Sequence, residues 1–133
     1  MSGADLTLSD LRQADLSGAN IQGAHLWRFN LSRANFNEAN MAGCTLGRTN
    51  MSNCVLKAAD LKGASIAFAN LSYADLERAD LSGTDLSQTD LSWANLSGAN
   101  LRGARLIGAN LDMADLTGAD LQGATIINTK LNS

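Results

Sequence analysis

The chain has no proline, one histidine, two cysteines and few aromatic side chains, 5% of its 133 residues. Each shortage excludes something. With so few large rings, the 45% apolar content falls mainly to Leu and Ala, which suits a narrow core rather than a broad globular one. Without proline there is no stiff Pro-rich linker, and no shift in composition marks a boundary, so residues 1–133 read as a single domain. The sole histidine, His25, has no evident partner in the sequence, so an activated Ser or Cys nucleophile lacks its base. No further Cys or His stands in register with Cys44 and Cys54 to complete a metal set. No glycine-rich phosphate loop precedes a helix. Catalysis, cofactors and metals are therefore not expected. No apolar run approaches the roughly 18 residues that suggest a membrane span. The start, Met1 to Leu6, lacks the basic and apolar regions of a secretory signal. A cytoplasmic protein with no membrane partner is expected. The net charge of −3 is too small to argue for nucleic acid, and no direct nucleic-acid partner is expected.

What is present is a frame of five. Every fifth position from Leu6 to Leu131 is large and apolar; most are Leu, the others being Ile21, Phe36, Met41, Met51, Ile66 and Ile126. Two positions earlier stands Ala, except at Ser9, Phe29, Cys44, Thr49, Cys54, Thr84, Thr89 and Thr129. The residue between them is most often Asp or Asn. Two variable residues close the unit.

A period of five fits neither common element. On an α-helix five residues rotate about 140° past a full turn, so the leucines spiral and no stripe forms. In a long strand an odd period sends successive leucines to opposite faces. Within one unit, however, Ala and Leu are two apart and point the same way when extended. Short extended sides joined by turns, each sending one small and one large residue inward, make a coil. Stacked coils make a solenoid with a continuous core.

A second period counts the sides. Glycine stands at 3, 23, 43, 63, 83, 103 and 123, a spacing of 20. Another slot of the same frame carries Gln13, Arg33, Asn53, Tyr73, Trp93 and Met113. Four units per coil make a square cross-section. Glycine tolerates φ > 0, so one row of corners is expected to have a turn that prefers it. At about 4.8 Å per coil, roughly six and a half coils make a rod on the order of 30 Å long.

These residues closely resemble the pentapeptide-repeat family, whose motif is A(D/N)LXX, and the resemblance runs essentially end to end. It implies an all-β, right-handed quadrilateral β-helix with Leu and Ala inward. The family is abundant in bacteria, most members have no known activity, and a few are DNA mimics that bind type II topoisomerases.

Within that frame Cys44 and Cys54 occupy inward small-residue slots on opposite walls. They are expected to be buried and free, because a disulfide needs Cα atoms within about 7 Å. Phe29 is the one large residue in an Ala slot, compensated by the smaller Ser9 and Thr49 one coil away. The frame begins at Met1, leaving no capping segment, and Thr129 to Ser133 are still in frame. Open ends invite pairing, so end-to-end homo-oligomerisation or a missing neighbouring segment is expected.

Function must then lie on outward positions. Stacking by 20 sets Tyr73, Trp93 and Met113 in one row and Trp27, Ala67, Ile107 and Ile127 in another, with Phe68 beside the second. Arg28 and Arg48 stack beside Trp27, and Arg12 and Arg33 stand on the next side. Exposed apolar patches mark interaction sites, and Trp and Tyr are enriched among hot spots. One corner carrying Trp27, Phe68, Tyr73, Trp93 and Met113 is thus the candidate surface for an unidentified protein partner. Residues 1 to 66 sum to +1 and residues 67 to 133 to −4. Asp75, Asp80, Asp85 and Asp90 belt the rod instead of lining one face, which counts against a DNA mimic. A noncatalytic interaction or scaffold module is the leading expectation. A DNA-mimic topoisomerase inhibitor and a structural spacer of a larger assembly are the alternatives.

Overall fold

The computed structural model describes residues 10–131, and over them the frame becomes geometry. Parallel bridges join each residue of the Asp/Asn slot to the one 20 later, from Asp15↔Asn35 to Asn110↔Lys130. Four rows of bridges result, starting at Asp15, Asn20, His25 and Asn30, and they form the four sides of the coil. A two-residue turn separates successive sides.

Backbone hydrogen bonds explain each slot. The leucine N–H donates to the next coil, as from Leu46 to the Ser65 carbonyl at 2.7 Å. The second turn residue does the same, as from Arg48 to Ala67 at 3.0 Å. The residue of the Asp/Asn slot donates to the previous coil, as from Asn50 to Phe29 at 2.9 Å. The small residue closes the turn, as from Thr49 to the Leu46 carbonyl at 3.2 Å. Only the N–H of the first turn residue is left over. The Asp or Asn two residues earlier accepts it through its side chain, as Asp80 does from Ser82 at 2.9 Å and Asn50 from Ser52 at 3.1 Å. The motif prefers Asp or Asn because these short side chains reach their own backbone two residues on.

The interior is a stack of ladders. Leu26, Leu46, Ile66, Leu86 and Leu106 are each no more than 1% exposed, and the corresponding rows on the other sides are as dry through the middle of the rod. Where Thr replaces Ala inside, its hydroxyl donates to a carbonyl: Thr49 to Leu46 and Thr84 to Leu81, both at 2.6 Å, and Thr89 to Ile66 at 3.0 Å. Cys44 and Cys54 are buried and free, as the sequence implies. Their thiols point at the carbonyls of Ile21 and Leu31, 3.1 and 3.0 Å away. Burial raises both thiol pKa values, that of Cys54 to about 12. Phe36 is fully enclosed, whereas Phe29 is only partly buried against the core. Its expected neighbour Ser9, the frame slot of Met1, and Asn132 and Ser133 lie outside the described residues.

The glycine expectation is corrected. The second turn residue has φ between +50° and +73° at every corner from Gln13 to Asn128, on all four sides. The first turn residue stays at negative φ, which together define a type II turn. The glycine row is therefore not a special turn. Gln13, Arg33, Asn53, Tyr73, Trp93 and Met113 adopt the same conformation without glycine's freedom.

Candidate functional site

Left-handed backbone is unfavourable for L-residues by roughly 1–2 kcal/mol each and is a genuine outlier for bulky side chains. Every corner has this backbone, but residues other than glycine occupy it unevenly. Among the described residues, fourteen other than glycine take this conformation, and eleven of them fall on two neighbouring corners. One is the Tyr73 corner just named; the other, the Trp27 corner, carries Arg28, Arg48, Phe68, Gln88 and Asn128 in the strained slot. The corner after the Asn20 side, by contrast, has glycine in that slot from Gly23 to Gly123.

The sequence sets Trp27, Phe68, Tyr73, Trp93 and Met113 on two neighbouring sides that meet at one corner. The structure places them on two corners, with Trp27 and Phe68 at one edge of the Asn30 side and Tyr73, Trp93 and Met113 at the other. The reason is the frame itself: Phe68 and Tyr73 are five residues apart, and each unit turns one corner. What is presented is a face with two raised edges.

Tyr73 and Trp93 stack with ring centroids 6.0 Å apart and planes within 5°, while each remains more than half exposed. Such offset stacking contributes about 0.5–1.5 kcal/mol beyond burial. Met113, 49% exposed, continues the row. On the opposite edge the Trp27 indole lies over Gly47, where an added Cβ would meet Trp27 Cδ1 at 3.1 Å. Arg28 sits over the Trp27 ring at 4.7 Å. Arg48, one coil on from Arg28, lies over Phe68 at 4.8 Å. Ile107 and Ile127 extend this edge toward the carboxyl-terminal end.

Charge is arranged along the same face. Arg28, Arg33 and Arg48 have no ion-pair partner among the described residues. Most other cations do: Lys57 bridges Asp75 and Glu77 at 3.2 and 3.1 Å, Arg102 meets Asp120 at 3.1 Å, and Lys130 meets Asp112 at 2.8 Å. Arg12 is held by Asp10, and that hydrogen bond lowers the Asp10 carboxyl to about 2. An open polar depression lined by Asp10, Arg12, Gln13, Ser32 and Arg33 lies at this end.

The sequence reading missed one feature. On the side that leads into the Trp27 corner, the Asp/Asn slot holds His25, Thr45, Ser65, Arg105 and Thr125, with Asp85 the exception. The exception caps its turn, accepting from the Ser87 N–H at 3.0 Å. Among the described residues, the N–H groups of Trp27, Ala67 and Ile107 have no acceptor. The signal was visible as the five departures from Asp/Asn, but its meaning required the turn geometry. His25 is exposed and its Nδ1 lies 2.6 Å from Thr45 Oγ1, a contact along the ladder. No cluster of three or more His, Cys, Asp or Glu able to hold a metal occurs among the described residues, and no helix there is long and apolar enough to cross a membrane.

The repeat profile of pentapeptide repeats matches in eight copies, over residues 1–28, 14–53, 30–66, 59–98 and 99–133. The chain belongs to the pentapeptide-repeat family. It is a right-handed quadrilateral β-helix like the solved members of that family. It is similar to HetL of the cyanobacterium Nostoc sp. strain PCC 7120, a pentapeptide repeat protein involved in heterocyst differentiation regulation, with 37% identity and a TM-score of 0.54. The match covers 89% of this chain and 62% of HetL, so the chain spans less than two thirds of that relative. Similarity to the pentapeptide repeat protein Rfr23 of Cyanothece 51142 is 30% in sequence, covering 88% of this chain and 90% of Rfr23, with a TM-score of 0.63. QnrB1, a plasmid-mediated fluoroquinolone resistance protein, shares the fold at 23% identity and a TM-score of 0.55, over 86% of this chain and 59% of its own. No curated protein matches the chain.

Proposed function

We propose that this pentapeptide-repeat chain is a noncatalytic protein-binding module that uses the Asn30 side and its two raised edges. The observation that carries the reading is the exposed Tyr73–Trp93 stack, built from two bulky residues held in left-handed backbone. Strain that persists on one surface and is absent from another motivates a functional reading. The rigid frame limits the entropy lost when a partner docks. The shallow surface and the buried, high-pKa thiols offer nothing that resembles an activated nucleophile.

Inhibition of a topoisomerase by DNA mimicry has less support. A mimic must offer free carboxylates in phosphate-like order. Here Asp75, Asp80 and Asp90 accept from turn N–H groups and from Asn95, Asn100 and Asn110 one coil on, at 3.1 Å each.

Affinity capture from lysate of the source cell tests the proposal, comparing wild type with a Tyr73→Ala/Trp93→Ala variant. A protein retained by the first and lost by the second is the expected result. Equal recovery by both would remove the face from consideration. Inhibition of supercoiling at micromolar protein would transfer support to the DNA-mimic reading.

A further inference from the structure

We infer that the face binds an extended peptide segment of bipartite chemistry, acidic over the amino-terminal half of the rod and apolar over the carboxyl-terminal half. The inference rests on the protein-binding reading and adds the partner's chemistry to it.

The face is poor in negative charge over its amino-terminal part. From Trp27 to Phe68 its edges carry Arg28, Arg33 and Arg48 and no carboxylate, in a chain whose net charge is −3. The side between the edges offers Asn30, Asn50 and Asn70 there, which are uncharged. Two of the three guanidinium groups lie against aromatic rings, which support the cation without neutralising it. A guanidinium presents a planar fork of donors that matches a carboxylate. The unpaired N–H groups of Trp27 and Ala67 add main-chain donors at the same edge. Donors outnumber acceptors along this edge, so the complementary partner carries acceptors and negative charge.

Beyond Arg48 the chemistry changes. Phe68, Tyr73, Trp93 and Met113 follow, with Ile127 at the far end, each about half exposed. On this half of the face the one cation, Lys130, is paired with Asp112, and Asp90 caps its own turn. A nucleic-acid strand carries a phosphate at every residue and would need cations along the whole track. A polypeptide can segregate acidic from apolar residues, and an extended one can run along the stacked coils. The segregation of charge on the face therefore favours a peptide over a nucleic acid.

A phage-displayed library of random dodecapeptides, selected on the intact chain, tests this. Enriched sequences are expected to hold a block of Asp or Glu beside a block of apolar residues. Synthetic versions should bind wild type about tenfold or more tightly than an Arg28→Glu/Arg33→Glu/Arg48→Glu variant, and more weakly as salt rises. An Arg28→Gln/Arg33→Gln/Arg48→Gln variant, checked for a wild-type melting profile, separates lost charge from damaged structure and should show the same direction. The charge-reversed variant should enrich basic–apolar peptides instead. Enriched peptides without acidic blocks, lost on Tyr73→Ala/Trp93→Ala but indifferent to the arginines, would overturn the inference and leave the protein-binding reading in place. So would a selection that enriches nothing. Tighter binding of a labelled oligothymidylate than of any selected peptide, or peptides that merely copy this chain's own repeats, would also overturn it.

Discussion

Two corner rows of this rod share one backbone conformation and differ in almost everything else. The glycine row, Gly23 to Gly123, and the Tyr73 row, Gln13 to Met113, turn with the same positive φ. In the glycine row the conformation costs little, and an added Cβ would meet nothing within 4 Å at Gly23, Gly43, Gly63, Gly83 or Gly103. In the Tyr73 row side chains are kept where glycine would be easier. The fold therefore does not demand the aromatic side chains. Turn chemistry and core satisfy the fold on both rows, so the aromatic side chains of the Tyr73 row are where the proposed partner contact is to be tested.

The interior behind the two rows is expected to be equivalent, which truncating one core leucine in each row tests. Leu71 lies inside the turn that carries Tyr73, and Leu81 inside the turn that carries Gly83; both are at most 1% exposed. Leu71→Ala and Leu81→Ala are each expected to lose about 2–5 kcal/mol in chemical denaturation, and by similar amounts. A much smaller loss at Leu71 would mean that the proposed binding face has a looser core behind it, and the rows would then differ inside as well as out.

Exchanging the surfaces gives the next effect. Gly83→Tyr places a large side chain in left-handed backbone without a steric obstacle and should destabilise by about 1–2 kcal/mol. The reverse change, Tyr73→Gly, relieves comparable strain but loses the stack on Trp93, worth about 0.5–1.5 kcal/mol, and frees the unfolded chain. These contributions oppose one another, so its stability should stay within about 1 kcal/mol of wild type. Thermal or urea unfolding of the two variants measures the asymmetry directly. If Tyr73→Gly proved strongly destabilising, the ring would be structural and its functional reading would fall.

How much of this could be read from the sequence follows from where each signal lives. The coil, its four sides and the inward fate of Leu, Ala, Cys44 and Cys54 were legible because the interior repeats every five residues without interruption. The rows of Tyr73 and Trp27 were legible from the period of 20. Their division between two corners was blurred, because the period gives vertical neighbours and not the width of a side. The role of glycine was misread because its residue preference was taken for a turn preference. In fact Arg33, Tyr73 and Trp93 show that every corner makes the same demand. The contact of Arg48 with the Phe68 ring could not be read, because side-chain direction at a corner depends on the turn. The open N–H groups on the Trp27 corner were hidden for the same reason: the capping role of Asp and Asn appears only once the turn's bonds are known.

The smallest effect concerns those caps, which also differ between the two rows. Turns of the Tyr73 row are capped largely by amides, including Asn30, Asn50, Asn70 and Asn110. Turns of the glycine row include carboxylate caps at Asp60, Asp80 and Asp120. Asp120 is lowered below the ordinary aspartate value of 3.8, first by the backbone N–H of Gln122 and then by Arg102. A carboxylate with a lowered folded pKa contributes stability that is present above its unfolded value and is lost as pH falls through the folded one. Acid should therefore loosen the Gln122 turn below about pH 4, while the amide-capped turns at Ser52 and Ser72 hold. Amide protection factors at pH 7 and pH 3, corrected for intrinsic exchange, are expected to fall at Gln122 and stay level at Ser52 and Ser72. Asp120→Asn should remove the pH dependence at Gln122 while keeping the cap. Equal acid sensitivity at all three amides would mean that the whole coil opens together, and that the caps of the two rows are not independent.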